Sequence, residues 1–174
     1  MTDMPHPGQG TDAMLGQEFL TWLWYRCEEQ PDGFRDAGGR TFHVSMEQRV
    51  VVQGGEGDAR ETAAVAGALS QLREARLGLR TGKKVTRAQV HIEADALDWR
   101  VNLKASDLSL SGFRTPRIDA SDDDPDAVFL EKMYLLETGL AKLDAAYAQF
   151  LALRLSPSWP QEAQAAARWM RNPD

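Results

Sequence analysis

The sequence predicts an α+β domain in which an antiparallel sheet of three or four strands packs against three main helices and a short C-terminal helix. Two observations carry this. Stretches of period-two alternation (41–52 and 85–103) sit between stretches of helical periodicity (14–30, 58–79 and 126–150), and glycine- and proline-bearing turns separate them. A third is composition: 43% apolar and 26% charged residues over 174 positions suit one globular unit with a core of its own. The reading is therefore a tail over 1–13, which lacks the basic start and apolar run of a signal peptide, and a single domain over 14–174.

In chain order, Leu15, Phe19, Trp22 and Leu23 share one helical face from 14 to about 30, and Leu20, Trp24 and Cys27 extend the apolar surface around it. A helix this apolar is expected to be buried, with the Trp22 and Trp24 rings in the core rather than stacking on bases. After Pro31, Gly33, Gly38 and Gly39, the even positions Phe42, Val44, Met46, Val50 and Val52 are apolar and the odd positions 41–49 polar, which reads as one long strand or a hairpin. Gly54, Gly55 and Gly57 form a loop, and Asp58 with Glu61 has capping-box spacing for a second helix. Val65, Ala68, Leu69, Leu72 and Leu79 form its stripe, and Gly78 and Gly82 mark its end. Two strands follow, with Val85, Val90 and Ile92 on one, Leu97, Trp99, Val101 and Leu103 on the other, and Asp95–Ala96 as the turn. A polar passage over 106–126 leads to a third helix, whose Phe129, Met133, Leu136, Leu140, Leu143, Tyr147 and Phe150 alternate spacings of four and three. Three heptads are short for a coiled coil, so packing on the chain's own sheet is the preferred reading, with a partner helix as the alternative. Pro157 and Pro160 precede the short last helix.

Several chemistries lack their residues. Cys27 is the only cysteine, which rules out an intramolecular disulfide and a cysteine-based zinc cage within one chain and fits a reducing compartment. His6, His43 and His91 are scattered without ligand spacing, and no serine elbow is present. The glycine loop at 53–58 carries Glu56 and Asp58, which would repel phosphate, and the stretch from Gly78 to Lys84 fails the phosphate-loop spacing. No cofactor is implied. No apolar run is long enough to cross a membrane, so the cytoplasm is the expected setting, with nucleoid association where DNA is bound.

Charge is unevenly placed. The net charge of −6 argues against polyanion binding over the whole surface, yet Arg73, Arg76, Arg80, Lys83, Lys84 and Arg87 form a basic island with one acid, Glu74, among them. Arg73, Arg76 and Arg80 share a helical face, so the island could track DNA phosphates without reading sequence. Five aspartates between Asp119 and Asp126 form an acidic loop that could mask it. Glu93, Asp95 and Asp98 flank the hairpin turn, with Lys104 on the next strand, which leaves a metal-dependent nuclease as a minor alternative.

Five segments together resemble the C-terminal half of longer bacterial RdgC-like, recombination-associated proteins: residues 15–29 (LGQEFLTWLWYRCEE), 46–62 (MEQRVVVQGGEGDARET), 72–88 (LREARLGLRTGKKVTRA), 108–119 (LSLSGFRTPRID) and 124–137 (DPDAVFLEKMYLLE). The resemblance spans roughly residues 15–155. It implies a non-enzymatic protein that binds duplex DNA with little sequence preference, and it supplies no catalytic residue. The chain departs from the longer forms in lacking their N-terminal half and in its acidity. The expected partners are therefore duplex DNA and either a separately encoded N-terminal half or a second copy, docked through the 129–150 helix or the sheet edge. A protein-interaction module without DNA affinity is the other reading.

Overall fold

In the computed structural model, residues 9–54, 61–66, 69–119 and 124–172 are described. Among the described residues, four helices and a six-stranded antiparallel sheet form an α+β fold. The helices are α1 (Gln9–Glu29), α2 (Leu69–Arg80), α3 (Pro125–Arg154) and α4 (Trp159–Arg171). The strands are β1 (Phe34–Arg35), β2 (Thr41–Gly54), β3 (Glu61–Ala66), β4 (Lys84–Ala94), β5 (Leu97–Lys104) and β6 (Leu110–Arg114), in the order β1-β2-β4-β5-β6 with β3 also on β2. No helix among the described residues is long and apolar enough to cross a membrane.

Alternation decides which face is covered. Phe42, Val44, Val50 and Val52 of β2, Val85, Ala88, Val90 and Ile92 of β4, and Trp99, Val101 and Leu103 of β5 are all buried on one side. Between Val85 and Ala88 the parity changes because Thr86 is an extra residue: Val52 faces Val85 and Val51 faces Arg87. This bulge turns both ends of β4 inward. Along β2, the three residues between Met46 and Val50 face the single Gln89 of β4, so the inward parity survives a second irregularity.

α1 lies across the covered face, with Phe19, Leu20, Trp22, Leu23, Trp24 and Tyr25 all buried, as its composition requires. Phe150 of α3 packs 5.4 Å from Phe19 and 5.5 Å from Trp22, centroid to centroid, and Phe34 meets Trp22 edge-on at 6.1 Å. Two glycines permit close approach. A Cβ on Gly16 of α1 would collide with the carbonyl oxygen of Ala105, and one on Gly139 of α3 would sit 2.5 Å from Cδ1 of Trp99. The Trp99 indole N–H donates to the Leu135 carbonyl at 2.8 Å, which pins α3 at that point.

The structure differs from the sequence reading in three places. Residues 61–66, read as the start of the second helix, form β3, because pairing with the open edge of β2 from Arg49 to Gly54 outweighs the helix preference of an alanine-rich stretch. The helix begins only at Leu69, and Asp58 and Ala68 lie outside the described residues. Within the passage read as loop, Leu110–Arg114 forms β6 against β5, and β1 is a two-residue strand, so the sheet has six strands rather than three or four. α1 starts at Gln9, inside the stretch read as tail.

Candidate nucleic-acid interface

The basic island spans the end of α2, a turn and the first half of β4. Gly82, at φ +85°, reverses the chain after α2, and the amides of Thr81 and Lys83 both donate to the Gly78 carbonyl at 3.1 Å. The stem of Lys83 passes close to Gly54 and Gly78, where added Cβ atoms would lie 2.7 Å from Lys83 Cα and 3.3 Å from its Cδ. Lys83 is thus half-buried, whereas Arg80, Lys84 and Arg87 are exposed. Arg73 lies on α2, but its side chain is outside the described set.

Arg76 is placed quite differently from its neighbours. Its guanidinium donates to Glu28 Oε2 at 3.1 Å and to the carbonyls of Trp169 and Asn172 at 2.9 and 3.0 Å, and it stacks 4.4 Å above the Trp169 ring. Only 13% of the side chain is exposed. Glu28 accepts in turn from the indole N–H groups of Trp24 and Trp169, at 2.8 and 2.9 Å. Arg76 therefore closes the carboxyl end of α4 and ties it to α1, and its charge is occupied within the fold. The structure does not bring the six basic residues together: Arg80, Lys84 and Arg87 face solvent while Arg76 faces inward.

The sheet adds cations that the linear reading did not include. β4 and β5 are joined by the Asp95–Ala96 turn, whose residues have φ of +51° and +64°, the geometry of a tight two-residue hairpin. In the register this turn fixes, Arg87 lies directly opposite Lys104, and one strand further on Arg100 lies opposite Arg114. All four are exposed, on the sheet face that carries no helix. Lys104, expected beside the acids near Asp95, lies at the other end of the hairpin.

The acids occupy the far end of the same face. His91 has Glu47 and Glu93 at 3.5 and 3.4 Å from Nδ1 and Asp98 at 3.3 Å from Nε2, and Arg100 reaches Glu47 at 3.7 Å. The carboxylates surround the imidazole instead of converging on a shared point, and Asp95 stands exposed in the turn. Among the described residues no group of three acidic, histidine or cysteine side chains could hold a metal ion, so the arrangement that a metal-dependent nuclease needs is not met there. His43 sits 3.4 Å from Asp32 at the surface. His6 and the core of the glycine loop, 55–58, lie outside the described residues, as do 120–123 of the acidic loop.

The solvated sheet face thus carries the Arg87–Lys104 pair at one end and a mixed cluster around His91 at the other, where Arg100 and Arg114 lie among the acids. Compared with protein-family models, with curated proteins and with solved structures, the chain matches none.

Proposed function

We propose that this chain is a non-enzymatic, recombination-associated DNA-accessory protein that contacts duplex phosphates without reading sequence. The observation that carries the reading is the exposed cross-strand pair Arg87 and Lys104 on the open sheet face, with Arg80 at the end of α2 and Lys84 at the start of β4 also exposed. The resemblance of five segments to RdgC-like proteins points the same way. Lys83 borders this surface, and Arg73 shares its helix. Cytoplasmic residence with nucleoid association belongs to the same proposal, as does a protein partner, either a separately encoded N-terminal half or a second copy.

Neutralising about four phosphates gives a log–log slope of affinity against salt of about −3 to −4. Fluorescence anisotropy of a labelled duplex across a salt series measures this slope. Arg80→Glu with Lys84→Glu, Arg87→Glu and Lys104→Glu is expected to abolish binding, with Arg76 left intact because it holds the fold. A wild-type chain that ignores duplex DNA at low salt would sink the proposal. That result would favour the alternative, a protein-interaction module without DNA affinity, for which the exposed apolar residues Phe129 and Tyr134 speak.

A further inference from the structure

The first three turns of α3 are apolar on the side that faces away from the protein. Phe129, Leu130, Met133 and Tyr134 are 61%, 66%, 40% and 66% exposed, and no residue of the helix before Leu135 is buried. At about 100° per residue these four form one stripe, roughly opposite the side on which Leu135, Gly139 and Lys142 meet the core. A helix that is apolar on both sides has a second neighbour to find. Four such side chains expose on the order of 400 Å², the size at which a surface patch marks an interaction site.

The charges at the ends of the stripe say what kind of neighbour. Asp126 lies one turn before Phe129 on the same line and Glu137 one turn after Met133, both exposed and about 16 Å apart along the axis. A second copy fits poorly. Antiparallel pairing that matches Phe129 with Tyr134 and Leu130 with Met133 sets Asp126 against Glu137 at both ends, and parallel pairing sets each acid against itself. We infer that this stripe is the docking site for an amphipathic helix of a different protein, whose apolar face is flanked at both ends by Lys or Arg. The site is independent of the DNA reading and stands whether or not the chain binds DNA.

The test is calorimetric titration of the full chain with two synthetic helical peptides. Each carries leucines at i, i+3, i+4 and i+7 between two flanking charges eleven positions apart, Lys in one and Glu in the other. The Lys peptide is expected to bind about tenfold more tightly than the Glu peptide, by two favourable end contacts against two repulsive ones. Asp126→Lys with Glu137→Lys should reverse that preference, and Phe129→Glu with Met133→Glu should remove binding of both peptides without lowering the unfolding temperature. Equal affinity for the two peptides, no binding of either, or a preference that survives the charge reversal would overturn the inference. So would sedimentation showing a wild-type dimer that Phe129→Glu dissociates, since the occupant would then be a second copy.

Discussion

Replacing Arg76 with alanine tests whether the basic island is one surface or two kinds of residue. The side chain makes a charge-assisted bond to Glu28, two hydrogen bonds to carbonyls at the end of α4 and a stacked contact on Trp169. The Glu28 bond contributes about 1.5–3 kcal/mol before discounting for partial solvent access, the carbonyl bonds about 1 kcal/mol each, and the ring contact about 0.5–1 kcal/mol. Against this, Arg76 Nε is buried without a partner, and its removal relieves about 1 kcal/mol. The net expected loss is about 3 kcal/mol, or roughly 6–12 °C in melting temperature for a domain of this size. Urea unfolding monitored by tryptophan fluorescence reads it directly, because Trp169 sits under the guanidinium. Arg80→Ala, the same charge removed from an exposed site one turn along the same helix, should stay within about 0.5 kcal/mol of wild type. If Arg76→Ala unfolds at the same urea concentration as Arg80→Ala, Arg76 is not the clamp described here and belongs with the solvent-facing cations.

Three further outcomes follow from local geometry. Gly139→Ala should destabilise the chain by about 1–3 kcal/mol in chemical denaturation, because the new methyl meets both Trp99 and Phe113, at 2.5 and 2.9 Å. Ala96→Gly should stabilise it by about 1 kcal/mol in the same assay, since Ala96 holds φ at +64° in a turn that favours glycine. Asp36 accepts from the amides of Gly38 and Arg40 and lies 3.6 Å from the buried Lys142 ammonium, and the Arg40 amide bond leads in holding its carboxyl below the usual range. A depressed folded-state value makes this contribution present above the ordinary aspartate range and lost as pH falls through the folded value, so Asp36→Asn should lower stability at pH 7 and flatten its decline below about pH 4.

The covered face of the sheet was legible because burial writes itself as alternation, and residues 42–52 and 97–103 keep that pattern almost without interruption. β4 did not read cleanly: Val85 is odd-numbered while Val90 and Ile92 are even, and only the bulge at Thr86 reconciles them. β3 was misread because the alanine-rich stretch from Glu61 to Ala66 carries little periodicity, and its pairing is decided by the open edge of β2. The basic island was visible as a run of charges, but linear spacing says nothing about depth, and the helical line from Arg73 to Arg80 gave no sign that its middle member is buried against α4. The pairing of Arg87 with Lys104 was within reach, because a two-residue turn at Asp95–Ala96 fixes every cross-strand partner of the hairpin. The seam on α3 was half right in its physics. Leu143 and Phe150 pack into the chain's own core, while Phe129 and Met133 turn to solvent, because α3 continues for three turns beyond the elements that cover it.

A net charge of −6 and a phosphate-binding surface are compatible when the charges are separated by more than the screening length. From Arg87 to Glu93 along β4 is six residues, about 20 Å at the rise of an extended strand. At 0.1 M salt the Debye length is about 10 Å, so a phosphate at the Arg87–Lys104 end feels Glu93 only weakly, whereas Glu47, beside Val90, is nearer and is held by His91 and Arg100. At 0.01 M the length is about 30 Å, and both ends act together. The acidic end therefore limits how far along the sheet a polyanion can lie without cancelling the attraction at the basic end. The same separation explains why the whole-chain charge is a poor guide here. Arg76 is committed to the fold and Arg26 to Glu162, while Arg87 and Lys104 stand exposed as a pair on the open sheet face. On the proposed reading, what a duplex would meet is set by the Arg87–Lys104 end and not by the sum over 174 residues.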